Sequence, residues 1–317
     1  KVYISYDNTK AEQKYQNEVE ALLKADPNDI ARKALAVFKR VQKFTLNQRN
    51  YQGINNPRWL DNDTIIYGAS TVDSQNSRHQ DLFSWHMPSN TIKKLTSNAN
   101  IRRFDIANID SNKAFIIAER SRYGSSQLVK LSMSGEVEQT LTPASVESIY
   151  DFVRVKPQSP NSHVVSTISF AYLQTSLNKK WRLKVSTLNQ ENNSIINEQV
   201  VPLPINYQFV SFPEWSKEGD SIFYVAGVNG ETKLYQYDFT SQQLTALTSG
   251  QQAVSWPIVI DKDQLLHLAT NSQGPDVFQL QLSDNKAEVI TKTTKSGIFS
   301  NPLISTHSLG KAQTTID

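Results

Sequence analysis

The sequence predicts a mainly β fold, a six-bladed propeller of four-stranded sheets led by a short helical hairpin. Three observations predict it. A Leu/Thr-rich element recurs at Leu95-Thr96, Leu141-Thr142, Leu247-Thr248 and Ile290-Thr291, an interval of about 45 residues with one divergent unit between the second and third. Most units carry a polar turn followed by an apolar run, as at Asp61-Asn62-Asp63 before Ile65-Ile66-Tyr67 and Lys217-Glu218-Gly219-Asp220 before Ile222-Phe223-Tyr224. A further strand core follows in each unit, at Leu82-Phe83, Leu128-Val129, Leu183, Leu234-Tyr235 and Val277-Phe278. A lone four-stranded sheet leaves an apolar face wet. Stacking such sheets around an axis covers the faces, and closure protects the edges.

In chain order, residues 1–50 read as a separate N-terminal segment and 51–317 as the propeller. Lys1–Tyr6 alternates like a short strand. Thr9 and Glu12 have capping-box spacing, and Tyr15, Val19 and Leu22 follow at helical spacing. Asp26-Pro27 suits the start of a second helix, whose apolar stripe is Ile30, Ala34, Val37, Phe38 and Val41. Five complete units then run over about 51–97, 98–142, 143–204, 205–250 and 251–292, by the repeat interval. A sixth starts at Gly297–Ile304, and the Lys1–Tyr6 strand is expected to complete it.

Composition limits the chemistry. The 317-residue chain is 38% hydrophobic and 20% charged, with a net charge of +3 and no cysteine. Disulfides, thiolate metal sites and cysteine nucleophiles are excluded. The positive charges are interspersed, with their densest stretch at Arg32–Lys43, so no nucleic-acid contact is expected. No apolar run is long enough to span a bilayer. The chain opens at Lys1 rather than Met, and a membrane tether upstream is an expectation.

Searches for catalytic signatures find none. The Gly-x-Ser-x-Gly elbow, a phosphate-binding glycine loop and a metal-spaced histidine pair are absent. Asp61-Asn62-Asp63 and Asp261-Lys262-Asp263 lack the calcium-loop pattern and sit where the repeat needs turns. No cofactor and no metal are expected. The aromatic residues Trp59, Trp215, Trp256, Tyr67, Phe115, Phe223, Tyr224 and Phe278 read mainly as core.

One unit is more specific. Pro213-Glu214-Trp215-Ser216-Lys217-Glu218-Gly219-Asp220, followed by Ser221-Ile222-Phe223-Tyr224-Val225, resembles the repeat of the TolB-like, WD40-like β-propeller family, whose usual form is Pro-x-Trp-Ser-Pro-Asp-Gly and an apolar strand. Pro57-Arg58-Trp59 opens the first unit similarly, and Pro257 and Pro302 keep the proline without the Trp. The resemblance covers roughly residues 55–305. It implies a periplasmic, non-enzymatic protein-binding or ligand-sensing module. It also implies a narrower version, the sensor domain of a ToxR- or CadC-like membrane-bound transcriptional regulator. The alternative is a propeller-fold polysaccharide lyase or glycosidase, which needs convergent carboxylates in the channel.

Propellers bind at one end of the central channel. Aligning the inner strands by their prolines puts Asn55, Phe104, Asp151, Ser211, Ser255 and Ser300 in one column. Arg102, Arg103, Tyr150 and Arg154 are their neighbours at the expected rim. The candidate ligand-binding set is therefore Asn55, Arg102, Arg103, Tyr150, Asp151, Arg154, Ser211, Ser255 and Ser300. A protein partner or a small ligand at the propeller face is expected, with Ser70–Gln80 and Phe170–Lys180 as the contact loops.

Overall fold

The computed structural model describes residues 53–289 apart from 111–112, 159–165, 178, 250–251, 272–273 and 284–285. Twenty strands form five sheets. Blade 1 is β1 (Asn55–Trp59), β2 (Thr64–Val72), β3 (Arg78–His86) and β4 (Thr91–Lys94). Blade 2 is β5 (Ile101–Asp110), β6 (Lys113–Arg122), β7 (Ser125–Leu131) and β8 (Val137–Thr140). Blade 3 is β9 (Ser148–Val155), β10 (Thr167–Ser176), β11 (Arg182–Asn189) and β12 (Ser194–Val200). Blade 4 is β13 (Tyr207–Trp215), β14 (Ser221–Val228), β15 (Glu231–Asp238) and β16 (Gln243–Ala246). Blade 5 is β17 (Ala253–Asp261), β18 (Gln264–Asn271), β19 (Gly274–Gln281) and β20 (Lys286–Val289). Every sheet is an antiparallel meander in chain order. The first strands pack on one another in sequence, β1 on β5, β5 on β9, β9 on β13 and β13 on β17, and so line the centre.

Two expectations are corrected. The described residues form five blades, not six, and contain no helix. A blade needs its own run of four hairpin-linked strands, and among the described residues five units supply one. The helical hairpin of residues 1–50, the Lys1–Tyr6 strand and the Gly297–Ile304 unit lie outside the described residues. The expected contact loops are also largely strand: Ser70–Gln80 is the β2–β3 hairpin with the strand ends beside it, and Phe170–Ser176 belongs to β10.

The core sits between blades. In β14, Ile222, Tyr224 and Ala226 join Ala171, Leu173 and Leu183 of blade 3, while Phe223 and Val225 join Val254, Leu265 and Ala269 of blade 5. Both faces of a middle strand are thus buried, so its sequence is a continuous apolar run and not an alternation. Burying each such side chain contributes about 1.5–3 kcal/mol. The outermost strands are wet, and β8 (Val137–Thr140) is exposed at every position. A fifth cluster, Ile65, Tyr67, Ala69, Phe83, Trp85 and Met87, comes from the remaining face of blade 1.

The recurring Leu-Thr pair has a hydrogen-bonding cause. Just past the outer strand, Leu95, Leu141 and Leu247 donate their N–H to the carbonyls of Leu82, Leu128 and Leu234. The hydroxyls of Thr96, Thr142 and Thr248 accept from the N–H of those same three leucines, at 2.9, 2.8 and 3.0 Å. Blade 3 keeps the first bond, Val201 to Leu183, but has Pro202 where the others have Thr. The turns are equally local. Asp61 accepts from the N–H of Asp63 and Thr64, and Ser216 from that of Ser221. Gly219 closes the second turn at φ +70, where a Cβ would also meet the Lys156 side chain at 2.4 Å.

Thr142→Val and Thr248→Val should each destabilise the fold by about 1–3 kcal/mol in urea unfolding, because a leucine N–H loses its acceptor. Thr96→Val should cost more, because Thr96 also donates to the buried Asp81. Unchanged midpoints would contradict this role.

Candidate functional site at the channel mouth

An ordinary strand has two faces, but an inner strand here borders a blade on each side and the channel as well. A repeated bulge supplies the third direction. Between the pairs Asn55–Gly68 and Arg58–Ile66, two residues of β1 stand against the single residue Tyr67. The same irregularity follows Asp151 in β9, Ser211 in β13 and Ser255 in β17. Its first residue is always left-handed: Asn56 (φ 48), Phe152 (φ 50), Phe212 (φ 53) and Trp256 (φ 52). Asn tolerates this conformation. For large aromatic residues it costs on the order of 1–3 kcal/mol each.

The three strained rings meet. Phe152 and Phe212 lie 5.0 Å apart edge to face, Phe212 and Trp256 4.5 Å apart, and Phe152 and Trp256 6.5 Å apart. Each such pair contributes about 0.5–1.5 kcal/mol beyond burial, which offsets part of the strain. Phe152 is buried, whereas Trp256 is 42% exposed. Trp256 therefore lies in the channel and not in the expected core. Trp59 is exposed too. The other six aromatics assigned to the core are buried.

Blade 2 departs from the pattern. Its irregularity falls earlier in β5, between Ile101 and Arg103, and Phe104 packs into the core between blades 1 and 2. This shift brings Arg102 and Arg103 to the mouth. Asn55, Gln80, Arg102, Arg103 and Asp151 line a cleft of about 210 Å³ there. Arg103 Nε donates to Asp151 Oδ1 at 2.9 Å, and its guanidinium lies 4.8 Å over the Phe152 ring. Arg102 donates to the buried Glu119 at 3.0 Å and to the Tyr150 carbonyl at 3.2 Å. Asn55 donates to Gln80. Gly68 lets Asn55 sit there, since a Cβ at that position would stand 2.6 Å from Asn55 Oδ1.

Further along the inner strands lies a charge cluster. Arg58 Nε is 3.3 Å from Asp105 Oδ1, and Asp105 Oδ2 accepts from the Val155 N–H at 2.8 Å. Arg154 Nε donates to Glu214 Oε2 at 3.0 Å and Nη1 to its own Val153 carbonyl. Burial pushes the Asp105 carboxyl up to about 6; Arg58 opposes that push, the Glu214 charge adds to it, and the Val155 N–H opposes it. Burial also raises Glu214, against the pull of Arg58. Arg58 Nε and Nη2 lack any partner of good hydrogen-bond geometry. Two carboxyl groups and two guanidinium groups make the cluster close to neutral.

Of the expected set, Asn55, Arg102, Arg103 and Asp151 thus converge on one cleft. Arg154 belongs to the deeper charge cluster. Tyr150 contributes its carbonyl, while its ring is buried 5.8 Å from Tyr172 between blades 2 and 3. Ser211 and Ser255 mark the bulges without lining the cleft, and Ser300 lies outside the described residues. Gln80, Arg58, Asp105, Glu214 and the three rings were not in the expected set. The repeat position after each column residue is the sequence signal that marks the rings. Among the described residues no three His, Cys, Asp or Glu side chains group as metal ligands. His79 pairs with Asp73 and His86 with Ser89.

Asp105 should leave a signature in stability. Its folded pKa lies above its ordinary value of 3.8, so the folded state takes up a proton that the unfolded chain has not yet bound. Relative to Asp105→Asn, wild-type stability should therefore rise by about 2–3 kcal/mol as pH falls from 7 to 4, and be lost as pH rises through 6. His267 works in the opposite sense, since burial lowers it to about 4, but it cancels in this difference. Urea unfolding across that range measures it, and a flat difference would contradict the burial of Asp105.

No protein-family model matches the chain, and no curated protein matches its sequence. Several solved structures share its fold. A putative TolB from Agrobacterium tumefaciens is 12% identical with a TM-score of 0.55, over 79% of this chain and 84% of that one. TolB from Acinetobacter baumannii is 12% identical with a TM-score of 0.53, over 80% of this chain and 58% of that one. A puromycin hydrolase mutant complexed with PGG is 10% identical with a TM-score of 0.57, over 78% of this chain but 40% of that one. The chain thus spans little more than half of the second of these proteins and less than half of the third. At such identities the likeness concerns architecture alone: the chain carries a TolB-like β-propeller fold.

Proposed function

We propose that this propeller is a recognition module that binds a protein segment or a small ligand at the channel mouth and does not transform it. The observation that carries the reading is the ring of left-handed aromatics under a donor-rich cleft. Holding Phe152, Phe212 and Trp256 in that backbone is costly, and no fold requirement calls for a half-exposed Trp256. Such an arrangement suits a ligand with an apolar or flat part against the rings and acceptor groups toward Arg102 and Arg103. Arg and Trp are the side chains that most often dominate binding energies. The hairpin tips at this end add exposed Val72 and Tyr123 as surrounding contact surface. The resemblance to the TolB-like family argues for a periplasmic setting. In its narrower form, the module is the sensor domain of a membrane-bound transcriptional regulator, tethered by a segment preceding Lys1. The sequence encoded upstream of Lys1 tests that form, and a bare cleavable signal there would remove it.

The enzyme reading rests on Asp105 and Glu214, two carboxyls raised by burial in one channel. Each already has a structural partner, Asp105 in Arg58 and the Val155 N–H and Glu214 in Arg154, which favours the binding reading.

A photo-crosslinking amino acid placed at Gln80 should trap a partner from an envelope extract. Arg103→Ala and Trp256→Ala should each lower the adduct yield at limiting protein by about tenfold, the equivalent of ~1.4 kcal/mol. Adducts indifferent to both substitutions would overturn the proposed mouth site.

A further inference from the structure

We infer a second binding site, at the tip of blade 3, for a phosphate group. It is independent of the channel mouth. The hairpin joining β10 to β11 carries Lys179, Lys180, Arg182 and Lys184. With Gln174, Thr175 and Ser176 they line a concave space of about 160 Å³. At roughly 30 Å³ per water, that is room for about five waters, or for a phosphate with part of its hydration shell.

The charges in this space are not balanced by the fold. Lys184 pairs with Glu198. Lys180 Nζ donates to the Tyr207 carbonyl at 2.8 Å and lies 5.1 Å over the Tyr207 ring, and among the described residues it meets no carboxylate. Among the described residues Lys179 and Arg182 have no ion pair. Gln174 stands directly across from Arg182 and Tyr172 across from Lys184, so Arg182 and Lys184 project from the same face of β11. Like charges held side by side oppose folding unless a counter-charge arrives. The tip is also preorganised: Thr175 Oγ1 donates to the Lys179 carbonyl at 2.6 Å, and Tyr207 Oη donates to the Trp181 carbonyl at 2.8 Å. A cleft of cations with amide and hydroxyl donors and one engaged carboxylate is suited to a multiply charged oxyanion.

The surroundings indicate how that phosphate is carried. Leu177, within the hairpin tip, is 67% exposed, and Ile205, two residues before Tyr207, is 86% exposed. A soluble anion leaves these aliphatic side chains without a role. A phosphate at an anionic membrane surface gives both features one explanation: cations on the headgroups and aliphatics at the acyl boundary.

The test uses the whole 317-residue chain. Co-sedimentation with phosphatidylglycerol vesicles, phosphatidylcholine vesicles serving as control, reads the lipid-borne source; calorimetric titration with inorganic phosphate and pyrophosphate reads the soluble one. We expect binding to phosphatidylglycerol that weakens at least tenfold in Lys179→Ala/Arg182→Ala and falls with added salt. Thermal unfolding should confirm that the double variant is folded, and Lys217→Ala, in the β13–β14 turn at the other end of the propeller, should bind as wild type does. Binding of pyrophosphate but not of vesicles, lost in the same double variant, would keep the site and assign it a soluble phosphate. Binding to neither, or binding unaffected by the double variant, would overturn it.

Discussion

One extra residue in an inner strand governs what this propeller can do. A strand of period two can face the blade before it and the blade behind it, and then has nothing left for the channel. The bulge after Asn55, Asp151, Ser211 and Ser255 puts two residues against one and turns the first of them into the left-handed region. In blades 3, 4 and 5 that residue is Phe152, Phe212 or Trp256, and the three rings meet, from Phe152 in the core between blades 3 and 4 to the half-exposed Trp256. The strain is local, and its offset comes from the blades, whose middle strands are buried on both faces. Blade 2 places its irregularity earlier, and so supplies Arg103 over the Phe152 ring instead of a fourth ring.

Much of the architecture was readable in the residues. The Leu-Thr pairs recurred because each closes two hydrogen bonds on the third strand of its blade, a need that repeats with every blade. The apolar runs were continuous because they border two blades. The Trp-Ser turn of blade 4 was legible because Ser216 and Gly219 each have a backbone task. The blade number was not. The Gly297–Ile304 stretch has the proline and the apolar residues of an opening strand, and it lies outside the described residues.

The site was half legible. Aligning prolines found the column of Asn55, Asp151, Ser211 and Ser255, and so the place where each bulge begins. It missed the rings one residue later, because Trp256 and Phe212 look like any apolar residue in a strand, and because left-handed φ at a non-glycine residue leaves no mark in the sequence. It took Tyr150 for a rim residue, since alignment does not say which face of β9 is turned to blade 2. The partnership of Arg58 with Asp105 and of Arg154 with Glu214 joins residues on different blades, and no local pattern announces it.

A crystal structure at a resolution that fixes the backbone carbonyls would decide the matter. The bulge mechanism requires positive φ at Asn56, Phe152, Phe212 and Trp256, with the three aromatic rings in mutual contact beneath the Arg103 guanidinium. Extended backbone at those positions, with the three rings out of mutual contact, would contradict it and leave the channel mouth without its platform.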